Sequence, residues 1–223
     1  ARKPLECIVT MLDMREAARE HALTFDQAAL TDSDREMAVV TWRGRMVNEH
    51  VSARVFAGLV PQMMAAGVDV RLQLEVASMI QEELRHGVLC AAAVEALGGE
   101  ARAPLPRLEA VPQHDDCEPL EGLLRNILSV CCLSETVAVA LITAERLETR
   151  PAELQAALTE ILADEVGHAR FGWRLLDELA PRIGQALRQR LGDYLPVAFL
   201  HLLHYELAHL PVQATPPSDI VEG

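Results

Sequence analysis

Glu82-Glu83-Leu84-Arg85-His86 and Asp164-Glu165-Val166-Gly167-His168 are two stretches of one design, an acid followed by Glu-x-x-His. On a helix, residues i and i+3 project from one face, so the glutamate and histidine of each stretch can converge on one ion. With 22 glutamates and eight histidines in 223 residues, about 0.8 such spacings arise by chance. Three occur; the third, Glu206-Leu207-Ala208-His209, has no partner motif and is read as the chance one.

Working outward, two more glutamates complete a pattern. Glu49 and Glu83 are equidistant from Ala66, beside Gly67, and Glu135 and Glu165 are equidistant from Arg150, beside Pro151. Both midpoints carry turn residues. In an antiparallel helical hairpin, residues equidistant from the turn lie at one height, so all four carboxylates can meet on one cross-section. Each sits in an apolar stripe at helical spacing: Val76, Met79, Ile80, Gly87, Cys90 and Val94 around Glu83, and Leu158, Ile161, Leu162, Ala169 and Gly172 around Glu165. Around Glu135 the stripe is Leu128, Cys131, Cys132, Ala138, Val139 and Ile142. Around Glu49 it is Trp42, Met46, Ser52, Ala53 and Phe56, with Arg45 the one charged exception. Trp42, Met46, Phe56, Met79 and Trp173 read as core residues beside these acids. Unpaired carboxylates in such stripes are costly, and two divalent cations would balance four of them.

The surrounding sequence predicts an all-α chain. A first helix is expected over about 5–30, and a second from Asp32-Ser33 to about Leu59, with Ser33 and Glu36 spaced as a capping box. Pro61 and Gly67 should interrupt the pattern before Asp69 caps a third helix ending near Leu97 at Gly98-Gly99. Pro104, Pro106 and Pro112 mark 99–117 as an extended connection. Helix is expected again over about 119–149 and from Pro151 to Pro181, and then over about 183–210 with a break near Pro196. The expected architecture is a single helical domain over 1–210, with a four-helix core over about 34–180, additional N- and C-terminal helices and an irregular tail at 211–223. A connection long enough to cross the bundle joins its two hairpins.

Composition narrows the partners. Half the residues are hydrophobic and 4% aromatic, and the net charge of −13 lacks the basic surface that nucleic acid or an anionic membrane would require. Neither a signal peptide nor a spanning segment is expected near the N-terminus, and a cytoplasmic location follows as the expectation. The cysteines Cys7, Cys90, Cys117, Cys131 and Cys132 contain no Cys-x-x-Cys pair, so they read as reduced, mostly buried apolar side chains. His201, His204 and Tyr205 read as packing residues of an apolar terminal helix.

Carboxylate-rich ligation with one imidazole per ion suits iron, with manganese as the alternative. Asp164 and Glu82 each lie four residues before a motif histidine, and each is placed to accept the ring N–H of the opposite helix's histidine. The pattern Glu, Glu-x-x-His, Glu, Glu-x-x-His on four successive helices resembles the ferritin-like diiron-carboxylate superfamily over about residues 34–180. The resemblance implies Glu49, Glu83, His86, Glu135, Glu165 and His168 as ligands of two Fe ions. Asp164-Glu165-Val166-Gly167-His168 is similar to the Asp-Glu-x-x-His motif frequent in oxidases and oxygenases of that superfamily. Cys90 stands where a ribonucleotide reductase radical subunit carries a tyrosine, Ile161 where arylamine N-oxygenases carry a further histidine, and the Cys-x-x-Cys module of rubrerythrins is missing. The resemblance therefore implies a diiron oxidase or oxygenase that takes dioxygen as co-substrate and acts on a small molecule, with an external electron donor, as a monomer or small homo-oligomer. Bacterioferritin-like iron oxidation and storage is the alternative, and hydroxylation, desaturation and N-oxidation stay open.

Overall fold

Residues 10–26, 28, 30–107, 110–205 and 207–208 are described by the computed structural model. Cys7, the third motif's Glu206 and His209, and the tail 211–223 lie outside the described residues. The chain is mostly helical: α1 Arg15–Glu20, α2 Asp32–Ala65, α3 Val70–Ala96, α4 Pro119–Ile127, α5 Glu135–Glu148, α6 Ala152–Leu179 and α7 Gln185–Tyr205. A π-helical segment, Leu128–Ser134, runs continuously from α4 into α5.

The two hairpins differ in how their turns are made. Asp69 accepts from the Arg71 N–H at 2.7 Å and starts α3, while Gly67 adopts a φ of 62° that a side chain would strain. The second hairpin turns through Thr149, Arg150 and Pro151. Helix α2 folds against α3 and α5 against α6; the hairpins meet where α3 packs on α6 and α2 on α4. Phe56, Leu59, Met63, Leu123, Leu124, Ile127 and Leu175 fill one end of the core, and Trp42, Met46, Leu97, Leu154 and Ile161 fill the other. Helix α7 packs across α4 and the π-helical segment.

Several boundaries depart from expectation. The N-terminal helix is six residues long. Before it, β1 Met11–Asp13 pairs antiparallel with β2 Arg102–Pro104, which lies in the connection expected to be merely extended. Leu12 and Ala103 are the buried residues of that ribbon, and the Met14 N–H donates to the Ala101 carbonyl at 2.9 Å, so the strand satisfies backbone that a longer helix would otherwise satisfy. The cap of α2 is Thr31, whose hydroxyl accepts from the Asp34 N–H at 3.2 Å, so the Ser33–Glu36 box does not form.

Neither Pro61 nor Pro196 breaks its helix. Each leaves the carbonyl four residues earlier without its usual donor, and those residues, Ala57 and Gly192, are exposed, so water can take over. Trp173 is half exposed and donates to Thr136 Oγ1 at 3.3 Å, because Gly172 holds the inward position beside it. Cys90, Cys131 and Cys132 are buried free thiols, and burial pushes Cys132 up to about 12. Among the described residues, one stretch, Pro119–Glu148, is long and apolar enough to cross a membrane; its buried face carries Glu121 and Glu135.

Candidate metal centre

Glu49 comes from α2, Glu83 and His86 from α3, Glu135 from the first turn of α5, and Glu165 and His168 from α6. All six are buried, between 0% and 7% exposed. They fall into two groups, Glu49, Glu83, His86 and Glu165, and Glu83, Glu135, Glu165 and His168, whose donor atoms lie within 4.8 Å of one another in each group. Glu83 and Glu165 belong to both groups. Phe56 meets the His168 ring edge-on at 5.6 Å, and Met46, Val76 and Ile161 of the same helices are fully buried.

The histidines are held from behind. His86 Nε2 lies 3.0 Å from Asp164 Oδ2 and His168 Nε2 2.8 Å from Glu82 Oε2, so each ring donates to a carboxylate of the opposite helix and turns Nδ1 toward the cluster. There His86 Nδ1 faces Glu165 at 3.5 Å and Glu49 at 3.7 Å, and His168 Nδ1 faces Glu83 at 3.0 Å and Glu165 at 3.4 Å. Neither nitrogen makes a hydrogen bond of ordinary geometry. Among the described residues, five buried side-chain nitrogen or oxygen atoms have no hydrogen-bond partner, and three of them are His86 Nδ1, His168 Nδ1 and Glu83 Oε2. Orphaned atoms are normally scarce and costly, and here three converge on one spot with the chemistry of metal donors.

Electrostatics point the same way. Burial pushes the Glu83 carboxyl up to about 8, with Glu165 and Glu49 adding to the rise. Glu135 is held well above its ordinary range by burial and by Glu165. Burial would raise Glu165 too, but the flanking His168 and His86 outweigh it and hold that carboxyl low. Burial would lower both imidazoles, but the surrounding carboxylates win and lift His86 to about 10 and His168 to about 11. Without an ion the cluster thus keeps protons that a cation would displace, and donors of this kind, oxygen-rich with one imidazole per group, fit a divalent first-row metal.

One feature here had no sequence signal, and another stood out in the sequence without its partner. The π-helical segment directly precedes Glu135, and it changes hydrogen-bond partners without any Pro or Gly to mark it. Arg45, the charged exception of the α2 stripe, lies 3.8 Å from Glu49 and pairs with Glu145 of α5. Two clefts of the described surface lie away from the six residues, one between α2 and the Ala103–Pro106 stretch, the other around Asp115, Glu121 and Arg190. Comparison with protein-family profiles, with curated proteins and with solved structures finds no match, so the reading of this centre rests on its own geometry and chemistry.

Proposed function

We propose that the chain is a ferritin-like four-helix bundle that holds two iron ions and uses them to activate dioxygen for oxidation of a small organic substrate. The observation that carries the reading is the sharing of Glu83 and Glu165 by two Glu/His groups, each with an orphaned imidazole nitrogen directed at it. Glu49 and His86 would complete one ion's protein donors, and Glu135 and His168 the other's. Four carboxylates against two divalent cations balance charge, which offsets the burial cost of the acids.

When bound, such an ion pair supplies electrons and Lewis acidity for dioxygen reduction. The chain's own residues orient and shield. Asp164 and Glu82 fix the ring orientation of the histidines, so that Nδ1 stays the inward donor. The six residues are themselves 7% exposed or less and Phe56 lies against the His168 ring, so bulk water is kept from the cluster, which strengthens every charge interaction inside it.

Metal analysis after anaerobic loading, followed by dioxygen uptake on exposure to air, tests the proposal. Wild-type protein should bind about two ions per chain, and Glu83→Ala and Glu165→Ala should each lose paired binding, because each removes a donor from both groups. Glu206→Ala should keep both ions. Trace metal only, in protein never exposed to chelator and then loaded with ferrous iron, would remove the reading.

A further inference from the structure

The two halves of the centre sit in different charge surroundings, and the difference lies in arginines. Beside Glu49 and His86, Arg45 Nη1 lies 3.8 Å from Glu49 Oε1, which leaves Oε2 as the oxygen facing His86 Nδ1 at 3.7 Å. On the same side Arg85 Nη2 lies 2.5 Å from Asp164 Oδ2, the oxygen that His86 Nε2 contacts. Their counter-acids, Glu145 and Glu160, pair with the arginines and, among the described residues, with no donor. Both guanidinium groups therefore stand directly against side chains of this half of the centre.

Beside Glu135 and His168 the picture is reversed. Among the described residues no arginine or lysine pairs with Glu135 or with Glu82, and Glu82 accepts only from the Ser78 hydroxyl, at 3.0 Å, and from His168. Among the described residues Glu135 has the His168 ring, 4.0 Å away, as its ion-pair partner and no guanidinium, whereas a cation entering beside Glu49 meets a guanidinium already in place.

We infer that the two positions fill in order, the Glu135/His168 position first and the Glu49/His86 position second and more weakly, and that Arg45 is the positioning residue that sets the difference. The inference rests on the two-ion reading above. A fixed positive charge one residue from an ion, even offset by Glu145, changes divalent affinity by roughly tenfold or more in a site this dry.

Anaerobic titration with Co2+, followed by calorimetry and by ligand-field absorption, tests this without any turnover assay. Wild-type protein should take two ions in two steps separated by about tenfold or more. Glu135→Gln should lose the tighter step and Glu49→Gln the weaker one. The double variant Arg45→Gln/Glu145→Gln, at side chains 16% and 47% exposed, should keep both ions and draw the weaker step toward the tighter one. Two indistinguishable steps in wild type, loss of the weaker step in Glu135→Gln, or an unchanged gap in the double variant would overturn the inference. The single glutamate variants decide the order even if the double variant does not fold. Binding of fewer than two ions by wild type would instead remove the two-ion reading itself, an outcome distinct from two ions bound alike.

Discussion

In the proposed centre, protons and metal would compete for the same side chains. In the metal-free chain Glu83, His86 and His168 hold protons up to about 8, 10 and 11, against ordinary values of 4.5 for the carboxyl and 6.5 for the imidazoles, and Glu135 is raised in the same sense. A group whose folded value is raised contributes stability that is whole below its unfolded value and is lost as pH climbs through the folded one. The chelated protein should therefore lose stability steadily as pH rises from about 5 toward 10. Glu165, shifted the other way, contributes stability that is whole above its ordinary 4.5 and is lost only as the pH falls below it, so it does not alter the slope over this interval. Metal binding at neutral pH must expel the protons of these four groups, so affinity should rise over the same interval. Thermal melts from pH 5.5 to 8 should show the metal-free midpoint falling while the gap to the loaded protein widens; parallel curves would mean that the four groups are not the ones metal displaces.

Between residues and the whole lie the helices, and one contact between them is unusually close. A Cβ built on Gly172 of α6 would stand 2.5 Å from the carbonyl carbon and oxygen of Cys131 in the π-helical segment, so Gly172→Ala has to push backbone aside. That should cost about 1–3 kcal/mol in denaturant unfolding, whereas Gly167→Ala, which meets nothing within 4 Å, should be neutral or slightly stabilising through helix propensity. A second link is polar: Asn126 of α4 donates to Gln62 Oε1 at 2.7 Å and to the Pro112 carbonyl at 2.8 Å, tying the long connection to both hairpins. Asn126→Ala should cost about 2 kcal/mol by orphaning buried groups, again read by unfolding. These elements also mark what the sequence could reveal. The positions of Glu49, Glu83, Glu135 and Glu165 on four helices were legible because turn residues at 66–67 and 150–151 fix the register, and the rings of His86 and His168 because spacing fixes the face. The β1–β2 ribbon was not, since three residues at each end of a long separation carry no period of their own. Nor was continuation through Pro61 and Pro196, which depends on the exposure of Ala57 and Gly192, a tertiary fact.

At the scale of the molecule, the surface bears on assembly. Val197, Phe199, Leu200 and Leu203 of α7 are each at least half exposed within seven residues of one helix, a cluster that suits a contact between a few subunits. Size-exclusion chromatography followed by ferrous titration in air should give a monomer or small oligomer whose iron uptake stops near two per chain; a particle of some 24 subunits that goes on mineralising would favour storage. The hairpins are also joined in a way that bears on which ion they accept. His86 to Asp164 and Glu82 to His168 are two rungs between α3 and α6, four residues apart, or about 6 Å along each axis. One rung would let the helices pivot about it; two resist both sliding and scissoring, and Glu83 and Glu165 hang between them. The spacing of the donors is thus a property of the polypeptide frame rather than of its occupant. Exchanging one divalent ion for another of different radius should alter how tightly each is held while leaving the two helices where they stand.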